Sequence, residues 1–123
     1  MTAAEQQVIT EETFVGFLLE RVPEVRPVVD EHFADYDELL LHLLMADLLR
    51  YSVAYFHSQA TELCGRLLRF VEYSLLYGDA RVDNAVSLSF VENIGAFPDE
   101  TPEFVASWPP GLLDELARQT SQH

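Results

Sequence analysis

Cysteine is almost missing from this sequence. The single thiol, Cys64, excludes an internal disulfide and any zinc site built from several cysteines. A chain so poor in cysteine suits a reduced, cytosolic compartment. Basic residues are also scarce: seven stand against 21 acidic ones, for a formal net charge of -14. A surface of that sign repels nucleic acid and anionic membrane, so neither is expected as a partner. The glycines, Gly16, Gly65, Gly78, Gly95 and Gly111, are scattered and form no phosphate-cradling loop. Met1 to Thr10 carries Glu5 and no basic residue, so it lacks the positive and apolar regions of a secretory signal. The longest apolar run is interrupted by His42, Asp47 and Arg50 and makes a poor membrane span. These gaps lead to the expectation of a soluble, cytoplasmic protein.

What is present is a helical pattern. The 123 residues, 49% of them apolar, suffice for one domain with its own core. The expectation is a single helical domain over 1–123, with 1–8 and 119–123 frayed. Thr10 opens a first helix that Pro23 stops, and a short second helix spans Pro23 to Ala34 with Pro27 in its first turn. Val25, Val28, Val29 and Phe33 form its apolar side, while Asp30, Glu31 and Asp35 point to water. Glu38 to Phe56 is apolar almost all round, as a buried central helix would be, with Asp37 as its cap. Ser58 caps the next helix, which runs to Tyr77 with Ala60, Leu63, Cys64, Leu67, Val71 and Leu75 as its stripe and Gly78 as a left-handed stop. So short a connection makes the two long helices an antiparallel hairpin.

Asp79 to Ile94 reads two ways. Val86, Leu88 and Phe90 alternate with serines, as in a strand, yet Val82, Val86 and Phe90 keep helical spacing. A lone strand leaves its backbone unpaired, so helix is preferred, started by Asp79 or Asp83 and ended by Gly95. Pro98 and Asp99 make a turn, Thr101 caps a short helix that Phe104, Val105 and Trp108 dock, and a last helix spans Pro110 to Arg118. The fold class is all-α, a compact bundle of five or six helices around the hairpin from Asp37 to Tyr77.

The chemistry-bearing residues are few. Asp47 shares a helix face with Leu40, Leu43, Leu44 and Tyr51, so it is either a hydrogen-bonded structural acid, with Arg50 or Arg81 as partner, or an acid at the lip of a pocket. Glu92 is similar, beside Ala85, Leu88 and Val91. The histidines, His32, His42, His57 and His123, lack the Glu-x-x-His spacing of helical metal sites, so no metal and no cofactor are expected. Cys64 lies in an apolar stripe and reads as an inert buried thiol. Glu72, Tyr73, Tyr77 and Asp79 would form an acidic-aromatic patch suited to a basic protein partner.

Three further features carry a resemblance. A long helix ends in Tyr77-Gly78-Asp79, Val86 to Asn93 reads Val-Ser-Leu-Ser-Phe-Val-Glu-Asn, and Pro110-Gly111-Leu112 precedes the last helix. From Leu63 to Trp108 the chain resembles a family of small bacterial proteins described only as a domain of unknown function, and such proteins are similar to small acidic immunity proteins that neutralise co-encoded toxins. The resemblance implies an all-α fold and a bacterial cytoplasm, and it transfers no catalytic residue. The expected function is a non-enzymatic acidic module that binds a basic protein, most concretely an immunity-type inhibitor. The alternatives are an oligomeric adaptor, or a small enzyme using a pocket carboxylate at Asp47 or Glu92.

Overall fold

The computed structural model describes residues 8–93 and 102–121. These form seven α-helices: α1 (Glu11–Arg21), α2 (Arg26–Tyr36) after a 3-10 turn at Pro23–Val25, α3 (Leu41–His57), α4 (Thr61–Tyr77), α5 (Ala80–Val86), α6 (Pro102–Ala106) and α7 (Pro110–Thr120). The architecture is all-α, as expected. α3 and α4 form the central pair and enclose a core of Leu44, Met45, Leu48 and Leu49 with Leu67, Leu68, Phe70 and Val71, all buried. Phe14 and Leu18 of α1 cover one side, where the Phe14 and Phe70 rings meet at 5.4 Å. Phe104 and Trp108 cover another, with Trp108 5.7 Å from Phe90.

The helical reading of 79–91 holds, with a refinement. Asp79 caps α5 by accepting the Val82 amide at 3.0 Å. Beyond Val86 the helix widens into a π turn, Ser87–Val91, in which the Glu92 amide donates to the Ser87 carbonyl at 3.0 Å. Val82, Val86 and Phe90 are fully buried and Leu88 is exposed, so the apparent alternation joins two positions of the helical stripe, Val86 and Phe90, with an outward-facing leucine between them.

Three caps differ from expectation. Asp37 does not start α3; it ends α2 in the left-handed region at φ 62, with its amide donating to the Phe33 carbonyl at 2.8 Å. α3 begins only at Leu41, and the amide of its N-cap, Leu40, donates to His32 Nε2 at 3.0 Å. Ser58 ends α3 rather than starting α4, and Gln59 at φ 67 reverses the chain. Gly78 is not left-handed but extended, at φ -80 and ψ 156. It is needed for space: a Cβ there would lie 2.4 Å from the Ser74 carbonyl oxygen and 2.5 Å from Val82 Cγ1. The extended backbone at Gly78 lets Ile9 bridge alongside, with Ile9 donating to the Tyr77 carbonyl and accepting from the Asp79 amide. α7 continues two residues past Arg118, where the Gln119 side chain donates to the Ser87 carbonyl at 3.0 Å. The expected Thr101 cap, the Pro98–Asp99 turn and the Gly95 stop lie outside the described residues. None of the described helices is long and apolar enough to cross a membrane.

Candidate interaction surface

Two of the four residues expected to form a partner patch are committed to holding helices. Glu72 Oε2 accepts the Gly111 amide at 2.7 Å, which ties the start of α7 to α4. Asp79 is occupied as the α5 cap. Tyr73 and Tyr77 do lie together, ring centroids 4.8 Å apart, but the Arg21 guanidinium sits over Tyr73 at 5.0 Å. Arg66 and Arg69 line the same cleft, so that face is cationic-aromatic rather than acidic-aromatic.

Asp47 and Glu92 are placed apart from any shared chemistry. Asp47 Oδ1 accepts from Arg50 Nη2 at 3.0 Å with its side chain 34% exposed. Glu92 is exposed on the wall of a polar cleft that includes Asp83, Glu115 and Arg118. Cys64 is buried, its Sγ 3.5 Å from the Ser52 carbonyl, and burial pushes the thiol up to about 11. Among the described residues no cluster of three or more metal-ligating side chains is present.

The acidic-aromatic surface lies on α2 and the turn after it. Asp30, Glu31, Asp35, Asp37 and Glu38 are all exposed, and among the described residues none of them forms an ion pair. Between them Phe33 is 37% and Tyr36 42% exposed. Both rings rest against His32, which is buried: Phe33 meets it edge-on at 5.6 Å and Tyr36 at 5.0 Å. Because His32 Nε2 accepts the Leu40 amide, the ring carries its proton on Nδ1, which is buried and unpaired. One imidazole thus supports both exposed rings and fixes the turn into α3.

The chain then runs directly into an apolar cleft of about 470 Å³ lined by Leu39, Leu40, Leu41 and Leu43, with Arg81 and Asn84 opposite. Arg81 pairs with Glu11 at 2.9 Å across it. Leu43 remains 45% exposed, as does Leu88. On the same wall His42 Nδ1 shares a 2.7 Å hydrogen bond with Ser89 Oγ. A serine nucleophile also needs its histidine oriented by a third group and donors for an oxyanion. Among the described residues His42 makes no further side-chain hydrogen bond.

The sequence held the signal for this surface. Five acids occur between Asp30 and Glu38 with no lysine or arginine among them, and Phe33 and Tyr36 are three apart, on one helix face. Assigning Phe33 to the core and Asp37 to a cap concealed it. No curated protein and no solved structure matches the chain. A family model described as "Domain of unknown function (DUF7674)" matches residues 15–123, and the chain belongs to that family.

Proposed function

We propose that this protein is a non-enzymatic binding module whose partner is a basic protein, seated on the acidic rim of α2 and the apolar cleft beside it. One observation carries the reading: five exposed carboxylates, without an ion pair among the described residues, surround two exposed aromatic rings. Helix stability does not account for them. Asp35, Asp37 and Glu38 crowd the C-terminal end of α2, where the carbonyl ends already carry negative partial charge. Grouped acids raise the rate at which a cationic surface arrives. Aromatic side chains that are half exposed and held from below supply contact area at little entropic cost. Phe33, Tyr36 and Leu43 are the anchors of this reading, and the carboxylates are the rim.

The finer form of the proposal is an immunity-type inhibitor in a bacterial cytoplasm, which covers the basic active surface of a toxin. It is supported by the net charge and by the family resemblance at Tyr77–Asp79 and Val86–Asn93. The test is capture from lysate of the source cells with two baits, the natural chain and the D30N/E31Q/D35N/E38Q variant. The expected result is a basic protein retained by the natural chain at low salt, released at high salt, and not retained by the variant. Equal retention by both baits, or retention indifferent to salt, would refute the charge-steered surface. Phe33→Ala is expected to weaken the purified complex at least ~10-fold through faster dissociation.

A further inference from the structure

The cleft along α4 is at odds with the rest of the molecule. Three of the seven basic residues, Arg21, Arg66 and Arg69, converge on about 360 Å³ of space beside Tyr73, Leu76 and Tyr77. Arg66 is already matched, by Glu24 at 2.7 Å and Glu62 at 2.9 Å. Arg21 and Arg69 form no ion pair among the described residues. Glu72, the one carboxylate that lines the cleft among the described residues, is engaged by the Gly111 amide. Glu62, bound to Arg66, lies near enough to Arg69 to feel its charge, but no carboxylate among the described residues hydrogen-bonds to either Arg21 or Arg69, in a chain of net charge -14.

The cleft also has shape. Arg69 folds back along α4 toward Gly65, so that a Cβ on Gly65 would come within 3.2 Å of Arg69 Nη1. The absence of a side chain at 65 lets that guanidinium lie against the helix. The Arg21 guanidinium lies over Tyr73 at 5.0 Å, and Tyr77 packs against Tyr73 at a tilt of 38° while keeping part of its own ring exposed. Planar guanidinium groups hydrogen-bond carboxylate and phosphate in two-pronged fashion and stack on aromatic faces.

We propose that this cleft binds a small aromatic anion, a single planar ring bearing a carboxylate or a phosphate. Its volume is at the lower end of small-molecule sites, which run from roughly 300 to 1,000 Å³, and has room for one ring together with its anionic group. The charge of the molecule selects further. A polyanion extends beyond the cleft onto acidic surface and is repelled, whereas one anionic group stays within the cleft that Arg21 and Arg69 line, and charges more than about 8 Å away are largely screened at physiological salt. The site is on α1 and α4, apart from the acidic rim of α2, and stands independently of the partner reading.

The experiment is a nuclear magnetic resonance titration of the full chain with phenyl phosphate and with benzoate, using methyl phosphate as the ringless control. At least one aromatic probe is expected to produce saturable shifts in the Nε–H signals of Arg21 and Arg69 and in the ring signals of Tyr73 and Tyr77. Phenyl phosphate is expected to bind at least ~5-fold more tightly than methyl phosphate. Arg21→Gln and Arg69→Gln should each weaken binding about tenfold with the melting temperature little changed. Gly65→Ala, which keeps every charge but displaces the Arg69 tip, should weaken it less. No saturable shift below about 20 mM, equal affinity for methyl phosphate, or unchanged binding in both arginine variants would overturn the proposal.

Discussion

Replacing Gly78 with alanine tests whether space or backbone conformation dictates the glycine. The new Cβ would lie 2.4 Å from the Ser74 carbonyl oxygen, 2.5 Å from Val82 Cγ1 and 2.7 Å from Val82 Cβ. Two of these neighbours resist moving. The Ser74 carbonyl already accepts the Gly78 amide at 2.9 Å, and Val82 is fully buried and donates its amide to the Asp79 cap. Relief therefore requires the turn between α4 and α5 to open, and the Ile9 bridge with it. Overpacking at a rigid site costs about 2–3 kcal/mol, and for a domain of this size that lowers the melting temperature by roughly 10 °C. Asparagine separates the two explanations. If a left-handed backbone were the reason for Gly78, asparagine would be the best-tolerated replacement; a steric reason makes it at least as harmful as alanine. The control is Gly16→Ala, in the middle of α1, where a Cβ would meet nothing within 4 Å. That change should stabilise by about 0.5–1 kcal/mol through helix propensity alone. Chemical denaturation of the three variants measures each difference. A Gly78→Ala protein as stable as the natural chain, or a Gly78→Asn protein clearly more stable than Gly78→Ala, would refute the steric argument.

Other predictions follow from the pairings seen. The Arg66 guanidinium, hydrogen-bonded to Glu24, lowers that carboxyl to about 2 and also lowers Glu62. A carboxyl held below its unfolded value adds stability above that value, so this contribution should be lost as pH falls from about 4.5 toward 2; Glu24→Gln should flatten the stability profile across that window. His32→Phe keeps a ring beneath Phe33 and Tyr36 but removes the acceptor for the Leu40 amide. It should cost about 1 kcal/mol, since removing the unpaired Nδ1 offsets part of the loss, and the Leu40 amide should exchange faster with solvent; unchanged protection would disprove that bond. Cys64, its thiol raised to about 11 by burial, should resist alkylation at pH 8 in the folded protein and react rapidly in denaturant.

What could be read from sequence followed the range of the forces involved. The α4 stripe of Cys64, Leu67 and Val71 was legible because helical periodicity is local, and the same spacing recovered Val82, Val86 and Phe90. Caps were less legible because their partners are not local. Asp37 fits a capping pattern, yet the N-cap amide of α3 is taken by His32, eight residues earlier, whose position depends on the packing of α2. The site was less legible again. Charge counts fix the sum but not the arrangement: Glu72 looked free in sequence and holds Gly111, while Arg21 and Arg66, 45 residues apart, share one cleft. The acidic run from Asp30 to Glu38 needs no distant partner and is legible in sequence; the exposure of Phe33, which shares the helical spacing of Val25 and Val29, is not.

The bridge between Ile9 and Gly78 also bears on the order of folding. Its two sides, like the Arg81–Glu11 ion pair 70 residues apart, enclose the whole run from α1 to α4. Contacts so distant in sequence form slowly unless packing has already drawn the ends together, so this join is expected late in assembly. A bond absent from the transition state acts on escape from the native state rather than entry into it. The segment around Ile9 therefore serves as a latch: weakening it should leave the folding rate nearly unchanged and shorten the lifetime of the folded molecule.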